Sequence, residues 1–218
     1  MYIFSLILSF GIIYYVIPFI INRIMKIKFK FLLSKQNNVF ITFDDGPDPE
    51  ITPIILETLK KNNIKATFFL IGKDIINYPD LTQEIINNGH EVGEHSFEHY
   101  HPWKMNIIRY FNDLYKSHQI FKQIYTDNPQ LSKLYRPPYG KFNIITFLYL
   151  IISRRKSIFW NLDTKDYNAS SSNDILRIVK DNLSPGSIIL MHDGNPDKTI
   201  KHIHTASAVE DIISFIKS

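Results

Sequence analysis

The sequence predicts a parallel α/β domain, on three observations. From Val39 onward, short runs rich in Val, Ile and Phe alternate with longer segments of helical periodicity. Polar residues with chemistry to offer fall at or just past the ends of those runs, the edge where sites assemble in parallel sheets and barrels. No internal repeat or flexible linker interrupts the 218 residues, so the body reads as one domain.

In chain order, residues 1–22 carry no charged side chain. As a helix they would span roughly 33 Å, close to the hydrocarbon thickness of a bilayer. A single transmembrane anchor over 1–22 is therefore expected; a cleaved leader would place basic residues before the apolar run and small residues after it. Residues 23–37 interleave Arg23, Lys26, Lys28, Lys30 and Lys35 with Ile24, Ile27, Phe29 and Phe31. Such a segment is expected at the headgroup interface, with the lipid bilayer as partner. By the positive-inside rule this one short flank argues for the body, 38–218, on the cytoplasmic side.

Apolar runs predict strands at 39–43, 66–71, 90–94, 134–136, 157–162 and 187–191. Helical spacing predicts helices at 50–62, 79–88, 104–124, 142–152, 173–182 and 204–216. For 173–182, Asn173 and Asp174 precede Ile175, Leu176 and Val179, and Ser184-Pro185-Gly186 supplies the stop.

Composition excludes some chemistry. The chain has no cysteine, so disulfides, thiolate metal sites and a cysteine nucleophile are out. Its 25 basic and 21 acidic residues leave a formal charge of +4, and without finger or knuckle spacing this argues against nucleic-acid binding.

The strand at 39–43 runs straight into Asp44 and Asp45, followed by Gly46-Pro47. Adjacent like charges are costly unless something positive sits beside them, and a metal ion is the first candidate. His95 and His99, four residues apart just past the strand at 90–94, supply imidazoles to the same edge. Two His and one Asp leave positions open for water and substrate, the pattern of a catalytic rather than a structural site. If one aspartate ligates the metal, its neighbour is placed to take a proton from the attacking water.

Arg136 lies in Leu134-Tyr135-Arg136-Pro137-Pro138-Tyr139-Gly140, a segment its prolines stiffen. A guanidinium held there would keep Asp44 ionised, and the Tyr139 N–H is the first backbone donor after the prolines. His192 closes the strand at 187–191 and is a candidate proton donor to a leaving amine, with Asp163 or Asp166 as the carboxylate behind it. His90, His118, His202 and His204 read as core or surface residues, and His101 and Trp103 as rim or loop packing.

Taken in order, these segments resemble the polysaccharide deacetylase family, the NodB-homology domains of carbohydrate esterase family 4. The resemblance covers roughly 38–214 and rests on five motifs: Thr42-Phe43-Asp44-Asp45-Gly46, His95-Ser96-Phe97-Glu98-His99, Arg136-Pro137-Pro138-Tyr139, Asp163-Thr164-Lys165-Asp166-Tyr167 and Leu190-Met191-His192. It implies a deformed, incompletely closed (β/α) barrel that removes N-acetyl groups from amino sugars with one divalent metal ion, commonly Zn2+. By motif match it implies Asp44 as base, Asp45, His95 and His99 as metal ligands, and Arg136 steadying Asp44. It further implies an oxyanion contact from the Tyr139 amide, Asp166 supporting His192 as acid, and Leu190 lining the pocket for the acetyl methyl. Two positions depart from the family: Glu94 stands where Asn is common, and Tyr167 where Trp is frequent. The expected substrate is an N-acetylated cell-envelope glycan, with a lipid-linked amino sugar second. A glycan-binding domain without activity and a metal-dependent phosphodiesterase are the rival classes.

Overall fold

The computed structural model describes residue 9 and residues 11–33, 37–197, 199 and 202–218. Its centre is β1 (Phe40–Asp44), flanked by β2 (Thr67–Leu70) and β7 (Ile188–His192). Outward from β2 lie β3 (Glu91–Glu94), β4 (Leu134–Tyr135) and β5 (Lys156–Ser157), and outward from β7 lies β6 (Leu162–Asp163). All seven are parallel in the order β5-β4-β3-β2-β1-β7-β6. Curled into a half-barrel, the sheet leaves β5 and β6 as unpaired edges facing a gap. Parallel pairing puts every strand's C-terminal end on one rim, and the register sets Asp44 opposite His192 on one side and Phe69 on the other.

The helices follow their strands: α2 (Thr52–Lys61), α3 (Gly72–Asn77), α4 (Pro79–Asn87), α5 (Ile107–Asp127), α6 (Ile144–Ser153), α7 (Ser172–Asn182) and α8 (Ile203–Lys217). Short polar side chains start three of them by accepting free N–H groups: Asn106 for α5, Asn143 for α6 and Ser171 for α7. Ser171, not Asn173 or Asp174, is thus the cap of α7. The helix α3 adds a short turn that periodicity did not mark. The core joins Phe43 and Phe68, stacked with centroids 5.1 Å apart, to Ile55, Leu59, Ile189 and Val209, all fully buried. Each such side chain contributes about 1.5–3 kcal/mol by leaving water.

One expected strand does not exist as such. The run 157–162 divides into β5 and β6, which occupy opposite edges of the sheet. Between them residues 158–161 cross the open side of the half-barrel. Two carbonyls of that crossing, Ile158 and Phe159, accept from the Arg136 guanidinium instead of from a neighbouring strand. A guanidinium fork replaces a ladder, which alternation of apolar residues cannot reveal.

The N-terminus also differs from expectation. Among the described residues no helix is long and apolar enough to cross a membrane. Residues 1–8 and 10, on which much of the expected span falls, lie outside the described residues. From Gly11 the chain forms a π-helical turn (Ile12–Val16) and then α1 (Ile17–Leu33), so the helix runs on through Asn22, where the expected anchor ends. One face of it packs on the body through Tyr14, Pro18 and Asn22, four residues apart and buried. Tyr14 Oη accepts from Asn143 Nδ2 at 2.7 Å, and Asn22 Nδ2 donates to the Gly140 carbonyl at 3.1 Å.

Candidate active site

A cleft of about 570 Å³ opens on the rim of strand ends. Asp44, Asp45, His95, His99, Tyr139, Leu190 and His192 all line it, with Trp160, Asp163 and Tyr167. A slightly larger groove of about 650 Å³ between α2 and α4 is lined by Pro53 and Leu56 and by polar and charged residues such as Glu57, Lys60 and Asp80, without the histidines of the strand-end rim.

The chain turns sharply after β1, with Asp45 at φ +73°. That turn separates the two carboxylates: Asp44 stays on the strand and Asp45 swings toward the histidines. Gly46 makes room for it, because a Cβ there would strike the Asp193 carboxylate. Asp45 Oδ1 lies 3.3 Å from both His95 Nε2 and His99 Nε2. The three ligand atoms fall within 4.8 Å of one another.

This trio fits a divalent cation. Asp45 Oδ1 is buried without a hydrogen-bond partner among the described residues. His95 Nδ1 lies 2.7 Å from the Arg136 carbonyl, which can only accept. The proton is therefore on Nδ1 and the Nε2 lone pair faces the site. Burial lowers His99 to about 4 despite the opposing charge of Asp45, so its imidazole is neutral and available as a ligand.

The loop carrying His99 is held from outside the sheet. Asp113 on α5 accepts from the backbone N–H groups of Phe97 and Glu98 at 3.3 and 2.8 Å, and the Ser96 hydroxyl accepts from His99 N at 3.0 Å. Sequence reading missed Asp113, which sits mid-helix with nothing local to mark it.

Asp44 belongs to a different set. Its Oδ1 accepts from Arg136 Nη1 at 2.7 Å, while Oδ2 stays 3.7 Å from His95 Nε2. Arg136 is fully buried, with its Cζ 4.0 Å from the Phe69 ring centroid. Besides Asp44 it donates to Thr42 Oγ1 at 2.8 Å and to the two carbonyls of the crossing chain. Thr42, which opens the first motif but had no role assigned from sequence, donates its own hydroxyl hydrogen bond to the Ile189 carbonyl.

On the other side of β1, His192 Nδ1 lies 2.7 Å from Asp166 Oδ1, and Asp166 Oδ2 accepts from the His192 backbone N–H at 2.7 Å. Asp166, rather than Asp163, is the carboxylate behind His192. Asp163 instead accepts from Lys165 N and faces the cleft. Burial would lower His192, but the charge and hydrogen bond of Asp166 overcome it and push the imidazole up to about 10. Thr205 donates to Asp166 Oδ2 at 2.8 Å. His202, expected as a core or surface residue, is buried, stacks on His192 with centroids 5.5 Å apart and lines the cleft. It reaches there from the start of α8, a closure no local pattern could disclose.

Glu94 points away from the site. Successive side chains alternate across a strand end, so His95 faces the cleft and Glu94 the opposite side. There it pairs with Arg155 and accepts from Ser117 Oγ at 2.6 Å and Tyr149 Oη at 2.8 Å. The extra carboxylate is neutralised within its own buried pocket between α5 and α6. Tyr167 stands edge-on to His192, with centroids 5.9 Å apart.

Tyr139 adopts φ +59° and sets its ring against His99 and His101, at 4.7 and 4.8 Å. His101 thus lines the cleft, whereas Trp103 packs behind it and donates to the Phe142 carbonyl at 3.1 Å. The contact of Asn22 with Gly140 places the N-terminal helix directly behind this loop, a support the apolar N-terminal sequence concealed.

A family model described as polysaccharide deacetylase matches residues 34–150. A peptidoglycan-N-acetylglucosamine deacetylase of Bacillus cereus is 38% identical over 154 residues, 71% of this chain and 55% of that relative. The chain therefore spans about half the length of that relative. Among solved structures, the Bc1960 peptidoglycan N-acetylglucosamine deacetylase in complex with 4-naphthalen-1-yl-N-oxidanyl-benzamide superposes with a TM-score of 0.74 at 32% identity, covering 84% of this chain and 83% of that one. A carbohydrate esterase family 4 pseudoenzyme from Bacillus anthracis, BA3943, superposes with a TM-score of 0.71 at 27% identity, covering 84% and 62%. This fold therefore also occurs in a pseudoenzyme, so the fold by itself does not establish activity.

Proposed function

The chain belongs to the polysaccharide deacetylase family, and from that membership and the geometry of its cleft we propose that it hydrolyses N-acetyl groups from amino sugars of a cell-envelope glycan, using a divalent metal ion. The observation that carries this reading is the pairing across the β1–β7 ladder. Asp44, locked by Arg136, and His192, backed by Asp166, stand in register on adjacent strands beside the Asp45, His95 and His99 trio.

A divalent ion held by Asp45, His95 and His99, zinc being the first candidate, would supply Lewis-acid polarisation of the amide carbonyl and acidify water. Asp44 accepts the proton of the water whose oxygen attacks the carbonyl carbon, and Arg136 keeps it ionised and aimed. The Tyr139 N–H stabilises charge gathering on the carbonyl oxygen. His192 gives its proton to the nitrogen as the C–N bond breaks, and acetate and a free amine leave. Leu190, 3% exposed in the cleft wall, offers an apolar seat for the methyl group. Tyr139, Trp160 and Tyr167 present ring faces suited to a sugar.

Acetate release from a panel of N-acetyl glycans by the metal-loaded protein tests the reading: stoichiometric acetate and free amine support it, and no release from any of them contradicts it. The role of His192 has its own test. The Asp166 carboxylate raises the His192 imidazole above its ordinary value and so keeps its proton in place for transfer. Removing the raising charge in Asp166→Asn lowers the imidazole again, and the alkaline limb of kcat should move down by roughly one pH unit or more. An alkaline limb that stays in place would show that His192 is not the proton donor.

A further inference from the structure

Three surfaces lie in sequence beside the cleft. The first is the wall formed by Tyr139 and Trp160. Directly behind it is a group of cations. Lys26 Nζ sits 5.6 Å from the Trp160 ring centroid and 5.1 Å from that of Phe159, and it borders Gly140 so closely that a Cβ there would lie 3.0 Å from it. Lys141, the next residue of the loop, holds its amine 5.3 Å from the Trp103 ring. Arg23 is one helical turn before Lys26 and exposed. Among the described residues no carboxylate pairs with any of the three. Lys26 is lowered from its ordinary value by burial first and then by Lys141 and Arg23, as expected of cations gathered without a counter-charge.

The third surface is apolar. Ile13, Ile17, Ile20, Ile24 and Ile27 recur three and four residues apart along the N-terminal helix and are each at least 40% exposed. They form a stripe facing away from the body. The helix packs beside α6, whose Leu148, Ile151 and Ile152 are also turned outward, Ile152 at 80% exposure. So much exposed aliphatic surface marks an interaction face. Its edge of unpaired cations matches the boundary between acyl chains and phosphates of a bilayer.

We propose that Arg23, Lys26 and Lys141 form a binding site for the phosphate of a membrane carrier lipid, so that this protein deacetylates an amino sugar still linked through phosphate to its lipid. The sugar occupies the cleft, the phosphate meets the cations behind the Trp160 wall, and the lipid lies in the bilayer against the isoleucine stripe. The order of cleft, cations and apolar face matches the order of parts in such an amphiphile. This inference rests on the deacetylase reading above and narrows its substrate.

The full chain, loaded with metal, is assayed for acetate release on three substrates. These are an N-acetylglucosamine oligomer in solution, an N-acetylglucosaminyl alkyl glycoside in phosphatidylcholine vesicles, and an N-acetylglucosaminyl diphosphoryl polyprenol in the same vesicles. The diphosphoryl substrate should exceed the alkyl glycoside at least tenfold in kcat/KM. In Lys26→Gln/Lys141→Gln that ratio should fall to near one, and inorganic pyrophosphate should compete against the diphosphoryl substrate in the unmodified protein. Equal turnover of both vesicle substrates, with the soluble oligomer cleaved, would overturn this inference and leave the deacetylase reading standing. No acetate from any substrate would overturn the deacetylase reading itself. A substitution that weakens binding to vesicles containing phosphatidylglycerol yet leaves the substrate ratio intact would assign the cations to headgroups and overturn the proposal.

Discussion

Replacing Asp44 by Asn should lower kcat by about 10²–10⁴-fold while leaving the metal content of the protein unchanged. In free energy that is about 3–5 kcal/mol of transition-state stabilisation. Asn keeps the size of the side chain and an oxygen for Arg136, so the pocket is preserved. It cannot take a proton. Because the metal trio is built on Asp45, with Oδ1 3.3 Å from each imidazole, metal binding has no need of Asp44. Asp45→Asn should do the reverse, losing metal first and activity as a consequence. Kinetics paired with metal analysis on both variants checks the division of labour. Full activity in Asp44→Asn, or loss of metal from it, would show that the two aspartates have been assigned the wrong way round.

The second large effect is on stability. Arg136→Met removes a fully buried guanidinium and strands the Asp44 carboxylate, itself 2% exposed, without its partner. The carbonyls of Ile158 and Phe159 lose a donor in the same step. Breaking a buried pair from one side costs about 3–5 kcal/mol. For a chain of 218 residues that corresponds to a fall in Tm on the order of 10 °C. Arg136→Lys should recover only part of the loss, since an ammonium cannot span Asp44, Thr42 and the crossing chain at once. Adding Asp44→Asn to Arg136→Met should restore part of the stability by removing the stranded charge, and the coupling is read from thermal unfolding of the four proteins. Independent, additive effects would mean that Asp44 and Arg136 are not coupled and that the loss in Arg136→Met does not come from a stranded Asp44 charge.

What was legible in the sequence was whatever a strand carries to its own end. Asp44 follows an unbroken apolar run, His95 follows β3 and His192 closes β7, so local pattern already placed them on one rim. Residues that act from a distance were not legible. Asp113 holds the His99 loop from the middle of α5, and His202 reaches His192 from the head of α8; each looks like an ordinary helical or loop residue until the chain closes on itself. The split of 157–162 was hidden because its carbonyls are satisfied by a side chain contributed by Arg136, some twenty residues earlier. At the N-terminus apolar composition suggested a span through a membrane. The described part of that helix instead sets one face on the body, Asn22 against the Gly140 carbonyl and Tyr14 against Asn143, and turns the other outward. Hydropathy averages over both faces and cannot separate them.

In the proposed reaction a metal at Asp45, His95 and His99, worked by Asp44 and His192, hydrolyses an acetamide. The most direct test follows acetate and free amine released from an N-acetylglucosamine substrate by the full chain as metal is stripped and returned. Release should vanish with chelation and return with one equivalent of a divalent ion. Undiminished release after complete chelation, or none from protein carrying a full equivalent of metal, would contradict the account.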